Sequence, residues 1–399
     1  MAARRAWSST AVLVVTLCVT TFTISCTASG LAPFLLDIAR DLGTDLAAVA
    51  NLAAILTVTW SGLSMFAGAL SDRIGRRPVL IGALLLMGTA GLGFSQAQSY
   101  LQAAAWQLLA GVGGGSYMGT VFATVSDRVE PARRGRALGW VITGQSLAFV
   151  LGVPLLTLVG AIGGWRLALA TAGITALAAS AVIALVVPGG APVRSGGETR
   201  RLPLRRVLDR QVLTLLAASG MQRGCYVGMS IYLATYLLTA YELALGDLAL
   251  PLMCVALGNL VGNNLGSHLT DRFGAGARMF AASAAATGLL GLPLFLWQPG
   301  LAASVALGFT YASTEAIGRP AMLTMLSRVP AEVRGLVLGL NVTANGFGWV
   351  SATVFGGWLV VTVGFGGLAI YLVSVGLLGA LLGLAAAAAP ASLPERSTR

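Results

Sequence analysis

Lysine is missing from this chain, histidine occurs once, and only 14 of its 399 residues are acidic. Charged residues make up 10% of the sequence, whereas an ordinary soluble domain carries about 25%. With 56% hydrophobic residues and a mean hydropathy of +0.83, the chain reads as a polytopic membrane protein. Cysteine is scarce too. Cys18, Cys26, Cys225 and Cys254 all fall inside apolar runs, with neither a disulfide framework nor a zinc spacing, so they read as small packing residues. No nucleotide loop, His-Glu-x-x-His pair or Cys-His arrangement occurs, which argues against an enzyme, and no sizeable soluble segment is left over for the output domain of a receptor. The net charge of +11 would suggest nucleic acid in a soluble chain. Here the arginines sit in short gaps between apolar runs, and no basic face interleaved with aromatics exists.

A bilayer core needs about 20 apolar residues of helix. Windows of that length predict twelve spans near 9–34, 47–70, 78–98, 101–125, 137–161, 166–187, 211–238, 248–268, 278–298, 301–325, 335–361 and 367–388. Arg4 and Arg5 ahead of a long apolar run imitate a secretory signal, but the run is too long for one, so an uncleaved first span is expected. Of the 25 basic residues, all arginine, every one except Arg40, Arg166, Arg223 and Arg319 lies in the two tails or in alternate loops. The positive-inside rule then predicts that both termini are cytoplasmic. The Pro-, Gly- and Arg-rich stretch 188–209 divides the spans six and six, giving bundles at 1–187 and 210–389 and a short tail at 390–399. Arg200, Arg201, Arg205 and Arg206 in that linker suit either an anionic lipid surface or plain solvation.

The two halves repeat. Arg134-Gly135 and Leu138-Gly139 recur as Arg334-Gly335 and Leu338-Gly339 at an offset of 200, and Leu70-Ser-Asp-Arg-Ile-Gly75 recurs as Leu269-Thr-Asp-Arg-Phe-Gly274 at 199. Two independent loops at nearly one offset indicate a duplicated six-helix unit.

Gly68-Ala-Leu-Ser-Asp-Arg-Ile-Gly-Arg-Arg-Pro78, between the second and third spans of this six-plus-six chain, resembles the loop signature of the major facilitator superfamily. The resemblance covers essentially the whole sequence. It implies an all-α membrane protein of two pseudo-symmetric six-helix bundles around a cavity that opens alternately to either side. It also implies a gating role for Gly68, Leu70, Asp72, Arg73, Gly75 and Arg76. Asp72 is expected to face the start of the eleventh span near Gly335, where a helix dipole favours a carboxylate, and the arginines to pair with nearby acids or carbonyls. The second copy, Asp271, Arg272 and Gly274, lacks the arginines that follow Gly75, so the first copy is expected to carry the latch. In the fifth span, Gly144 to Pro154 looks like the antiporter motif of the drug:proton branch. Its Gly152-x-Pro154 form is more like arabinose-efflux, purine-efflux and chloramphenicol-export carriers. Gln107 stands where proton-coupled relatives place an arginine four residues before glycine, here Gly111.

Ionisable residues at membrane depth are costly, and each is a functional candidate. Glu315 and Arg319 lie one turn apart on the tenth span, and Arg223 lies on the seventh beside Tyr226. In the family fold the first, fourth, seventh and tenth spans line the cavity. Glu315 is therefore the candidate proton site, since burial disfavours its charge while an arginine favours it; the competing reading is a permanent ion pair. Arg223, Arg319, Gln107, Tyr117, Tyr226 and Tyr311 are candidates for the substrate cavity. The resemblance implies a bacterial inner-membrane carrier, most simply a proton-driven exporter of a small metabolite or antibiotic, with a proton-symport importer as the competing direction. Its partners would be a small-molecule substrate and the lipid bilayer, with no nucleic acid. It would act as a monomer without cofactor or metal, the proton gradient being the energy source.

Overall fold

The computed structural model describes residues 2–130, 133–187, 209–273, 276–329 and 331–388. Every regular element among the described residues is helical. Lipid imposes this, because backbone polar groups without water must find their partners inside the segment. The helices are α1 (Ala2–Ser29), α2 (Leu35–Asp41), α3 (Leu46–Ile74), α4 (Arg76–Ser95), α5 (Tyr100–Arg128), α6 (Arg134–Leu147), α7 (Val153–Val186), α8 (Arg210–Ala240), α9 (Ala249–Phe273), α10 (Gly276–Leu296), α11 (Leu301–Leu326), α12 (Ala331–Thr362) and α13 (Phe365–Ala388). Among the described residues, eight segments are long and apolar enough to cross a membrane on composition alone. One of them, the 53-residue Arg134–Val186, has the length for two passes and is broken at Gly163 and Gly164, the latter at φ 73°. Helices α8, α11 and α12 are not among the eight; they carry Arg223, Glu315 with Arg319, and Asn341 with Asn345.

Packing divides the chain into two compact units, Met1–Glu198 with Ser230–Ala256 and Thr199–Met229 with Leu257–Arg399. The expected linker, apart from Asp209, and the tail at 390–399 lie outside the described residues.

Each unit is closed by glycine-lined helix contacts, as expected where small side chains let backbones approach and lipid offers no hydrophobic drive. In the first unit Gly111, Gly115 and Gly119 of α5 face the carbonyls of Leu56, Trp60 and Ser64 on α3, so an added methyl group would strike backbone. In the second, Gly258, Gly262 and Gly266 of α9 face the carbonyls of Phe309, Ser313 and Ile317 on α11 in the same four-residue rhythm. Gly88 of α4 meets Gly173 of α7, and their counterparts Gly288 of α10 and Gly376 of α13 also meet. The duplication read from two loops thus extends to the packing of the spans.

Outward faces are apolar: Val12, Val15 and Val19 of α1 and Leu155, Leu158 and Ile162 of α7 are exposed, as suits lipid. At the end of the first unit where α3 begins, polar groups form a clasp. Asp45 caps α3 by accepting from the Ala48 N–H at 2.7 Å. Asp41 accepts from Trp165 Nε1 at 2.8 Å, and Arg166 lies 4.3 Å over the Trp165 ring while donating to the Ser95 and Ala97 carbonyls, both at 2.9 Å. Through Asp41, Trp165 and Arg166 this clasp joins α2 to α7 and the end of α4.

Candidate functional site

A polar cleft lies wholly within the second unit. Ser219, Gln222 and Arg223 of α8, Glu315, Arg319, Met322 and Leu323 of α11, and Asn341 and Asn345 of α12 line an open-sided cleft of about 330 Å³, a volume that takes in the solvent at its mouth. Helical spacing places these groups together: Ser219, Gln222 and Arg223 share one stripe of α8, and Asn341 and Asn345 are one turn apart.

At its centre Glu315, 1% exposed, is gripped by its neighbour one turn along. Arg319 Nε donates to Oε1 at 3.2 Å and Nη2 to Oε2 at 2.8 Å, a two-point fork. Asn259 of α9 braces both partners, donating to Glu315 Oε2 at 3.4 Å and accepting from Arg319 Nη1 at 3.5 Å. Gln222 Nε2 donates to the Glu315 carbonyl at 2.8 Å, tying α8 to α11. Two cations approach the Tyr226 ring, the Arg319 guanidinium 4.9 Å and the Arg223 guanidinium 5.6 Å from its centroid. Among the described residues no carboxylate lies within ion-pair distance of Arg223. Asn341 is buried with Oδ1 unpartnered, and Asn345 accepts from Ser219 at 3.1 Å.

Sequence reasoning placed Glu315, Arg319, Arg223 and Tyr226 in one neighbourhood, and the structure brings them together. It missed Ser219, Asn341 and Asn345. For the two asparagines, four-residue spacing within one span was the available signal. Three candidates lie outside this cleft. Tyr311 is fully buried and donates to the Cys225 carbonyl at 2.9 Å. Tyr117 is fully buried in the first unit, hydrogen-bonded to the hydroxyls of Thr20 and Thr21 and donating to the Leu17 carbonyl, so it ties α5 to α1. Tyr117→Phe is expected to cost about 0.5–1.5 kcal/mol, read as a lower thermal midpoint with transport retained. Gln107 is buried in α5, outside the cleft.

In the first unit the charged loop is organised by Arg76. It pairs with Asp72 one turn earlier, donates through Nε to Asp127 at the end of α5 at 2.9 Å, and reaches the Gly68 carbonyl at 3.2 Å and the Ser71 hydroxyl. Gly75, which ends α3 at φ 98°, provides the reversal that brings Arg76 back over that turn. Arg73 and Leu70 are exposed, and Arg77 donates to the Ala184 carbonyl of α7. Asp127 was not anticipated: nothing in the chain marks a residue 51 positions away as the partner. The expected contact of Asp72 near Gly335 involves side chains outside the described residues. In the second copy Asp271 and Arg272 are exposed, and Gly274 lies outside the description.

The Gly144–Pro154 segment packs on α1. An added Cβ at Gly144 would strike the Cys18 carbonyl, and one at Gly152 the Cys26 sulfur. Between them Ala148–Gly152 forms a π-helical turn just before Pro154. Gly144→Val is expected to destabilise the fold by about 1–3 kcal/mol through overpacking against backbone, measured as loss of monodisperse protein on mild heating.

Among known proteins, the family model described as Major Facilitator Superfamily matches residues 17–349. A protein of Cupriavidus pinatubonensis named as a probable 4-methylmuconolactone transporter is 30% identical over 52% of this chain and 50% of its own length, so the chain spans about half of that relative. The inner membrane transport protein YdhP of Escherichia coli is 25% identical over 73% of this chain and 74% of its own. The fold is similar to a bacterial homologue of the human lysosomal transporter Spinster, at a TM-score of 0.76 and 14% identity, covering 94% of this chain and 96% of that one.

Proposed function

The chain belongs to the Major Facilitator Superfamily, and from that premise we propose that it is a proton-coupled carrier exporting a small polar metabolite or antibiotic across the bacterial inner membrane by alternating access, with both termini cytoplasmic. The observation that carries this reading is the Glu315–Arg319 pair: a carboxylate 1% exposed, at membrane depth, sharing a cleft with a second arginine. Inert neutralisation would need only one partner. Here Arg319 has a second place to rest, on the Tyr226 ring, so a proton arriving on Glu315 can release it without stranding a bare cation. The bonds of Arg76 to Asp72 and Asp127 supply the latch on one face, and the close packing of Gly144 and Gly152 on α1 suits a carrier that must not leak.

Outward direction is supported by the Gly152-x-Pro154 form of the fifth span. Inward proton symport is the second reading, and the excess positive charge of the cleft favours it. Expression in a drug-sensitive host, with accumulation of candidate compounds measured with and without an uncoupler, separates the two. Lower accumulation abolished by the uncoupler is the outcome for export, and raised accumulation that the uncoupler collapses reverses the direction.

A further inference from the structure

We infer that the cleft of the second unit receives a small organic anion, with Arg223 meeting its carboxylate or phosphate and Asn341 accepting from its hydroxyl or amine. The inference rests on reading this cleft as the transport site. Its lining holds two arginines and one carboxylate, and the carboxylate is already taken by Arg319 through both of its oxygens. Arg223 lies 5.6 Å from the centre of the Tyr226 ring, while a guanidinium at membrane depth calls for a counter-charge. Its fork of N–H donors matches the oxygens of a carboxylate or phosphate better than any neutral group. Across the same cleft Asn341 Oδ1, on a side chain 6% exposed, has no donor. A buried acceptor left open in the same cleft as an arginine without an ion-pair contact among the described residues describes a ligand that brings negative charge and an N–H or O–H together.

Charge arithmetic then sets the sign of coupling. With Glu315 ionised the lining carries one net positive charge; with Glu315 protonated and Arg319 released it carries two. The titratable groups around Glu315 and its partner are Arg223, Tyr226 and Cys225 of α8 and Tyr311 and Arg319 of its own helix. Asn259, Ser283, Asn341 and Asn345 face the site from α9, α10 and α12 without charge. Proton and anion therefore reinforce one another's binding, and the reinforcement is reciprocal. That linkage favours the second reading, inward symport, over export, whereas a neutral or cationic solute would be indifferent to the proton or compete with it.

The test is thermal stabilisation of the purified protein in uncharged detergent by lactate, benzoate, glycerol 3-phosphate, lysophosphatidylglycerol, glucose and tetraethylammonium. At least one anion is expected to stabilise in a concentration-dependent manner. Arg223→Gln should weaken that binding about tenfold or more, as loss of a charge-assisted hydrogen bond does, and Arg223→Lys should fall between. Binding of lysophosphatidylglycerol alone, lost in Arg223→Gln, supports the anion chemistry and assigns a lipid headgroup as its source. Stabilisation by glucose or tetraethylammonium alone, no stabilisation by any anion, or anion binding unchanged in Arg223→Gln overturns the inference. Failure of the carrier reading shows separately, as vesicles in which no solute moves with the proton gradient whatever the binding result.

Discussion

Arg76→Gln is expected to cut the initial rate of transport in reconstituted vesicles by an order of magnitude or more, with the protein still inserted and monodisperse. One guanidinium holds four acceptors: the carboxylates of Asp72 and Asp127, the Gly68 carbonyl and the Ser71 hydroxyl. Its removal sets two partly buried carboxylates near one another without their shared counter-ion. Charge-assisted hydrogen bonds are worth about 1.5–3 kcal/mol each, and about 1.4 kcal/mol on a barrier is tenfold in rate. Only the conformation in which this loop is closed loses that energy, so the effect falls on the transition between states rather than on folding. Asp72→Asn, which keeps the shape and removes the charge, should show most of the loss. Asp271→Asn should stay near the parent rate, because Asp271 is exposed. Equal losses at Asp72 and Asp271 would remove the latch from the first unit.

The second large effect is expected at Glu315. Glutamine preserves the volume of the side chain and its hydrogen bond to Asn259, yet it carries no exchangeable charge and cannot hold Arg319 in a two-point fork. Accumulation driven by a pH gradient should collapse in Glu315→Gln. Exchange of labelled for unlabelled solute, which needs no net proton movement, should persist. A gradient of one pH unit is worth about 1.4 kcal/mol, so the variant loses about a tenfold concentration ratio for each unit imposed. Undiminished accumulation would reduce the pair to a structural clamp on α11. Arg319→Met offers a contrast, since it leaves the buried carboxylate without its partner and should damage folding as well as transport.

What the sequence disclosed and what it withheld follow from the range of the interactions involved. Helix positions rest on local composition, and the Glu315–Arg319 pair on a spacing of one turn, so both are legible in the sequence. The cleft was half readable. Arg223 and Tyr226 announced themselves as polar intrusions in an apolar span, but Asn341 and Asn345 are common residues whose meaning depends on the face α12 turns toward α8 and α11. Tyr117 and Tyr311 point the other way. A tyrosine in a span reads equally as a cavity ligand or a buried strut, and only the positions of Thr20, Leu17 and the Cys225 carbonyl show that both are struts. Asp127 was hidden for the same reason, as was the joining of Asp41 to Trp165 across 124 residues. The π-helical turn at Ala148–Gly152 has a different origin: an extra residue in one turn leaves no compositional mark.

Proton movement accompanying a solute gradient tests the coupling role of Glu315 most directly. Vesicles holding a pH-sensitive dye and weakly buffered inside are given an outward or inward gradient of a transported solute, for the parent protein and for Glu315→Gln. The dye should report proton flux that tracks the solute gradient in the parent and vanishes in the variant, while labelled solute still exchanges in both. Proton flux of equal size in the variant would contradict the assignment of Glu315 as the group that carries the proton.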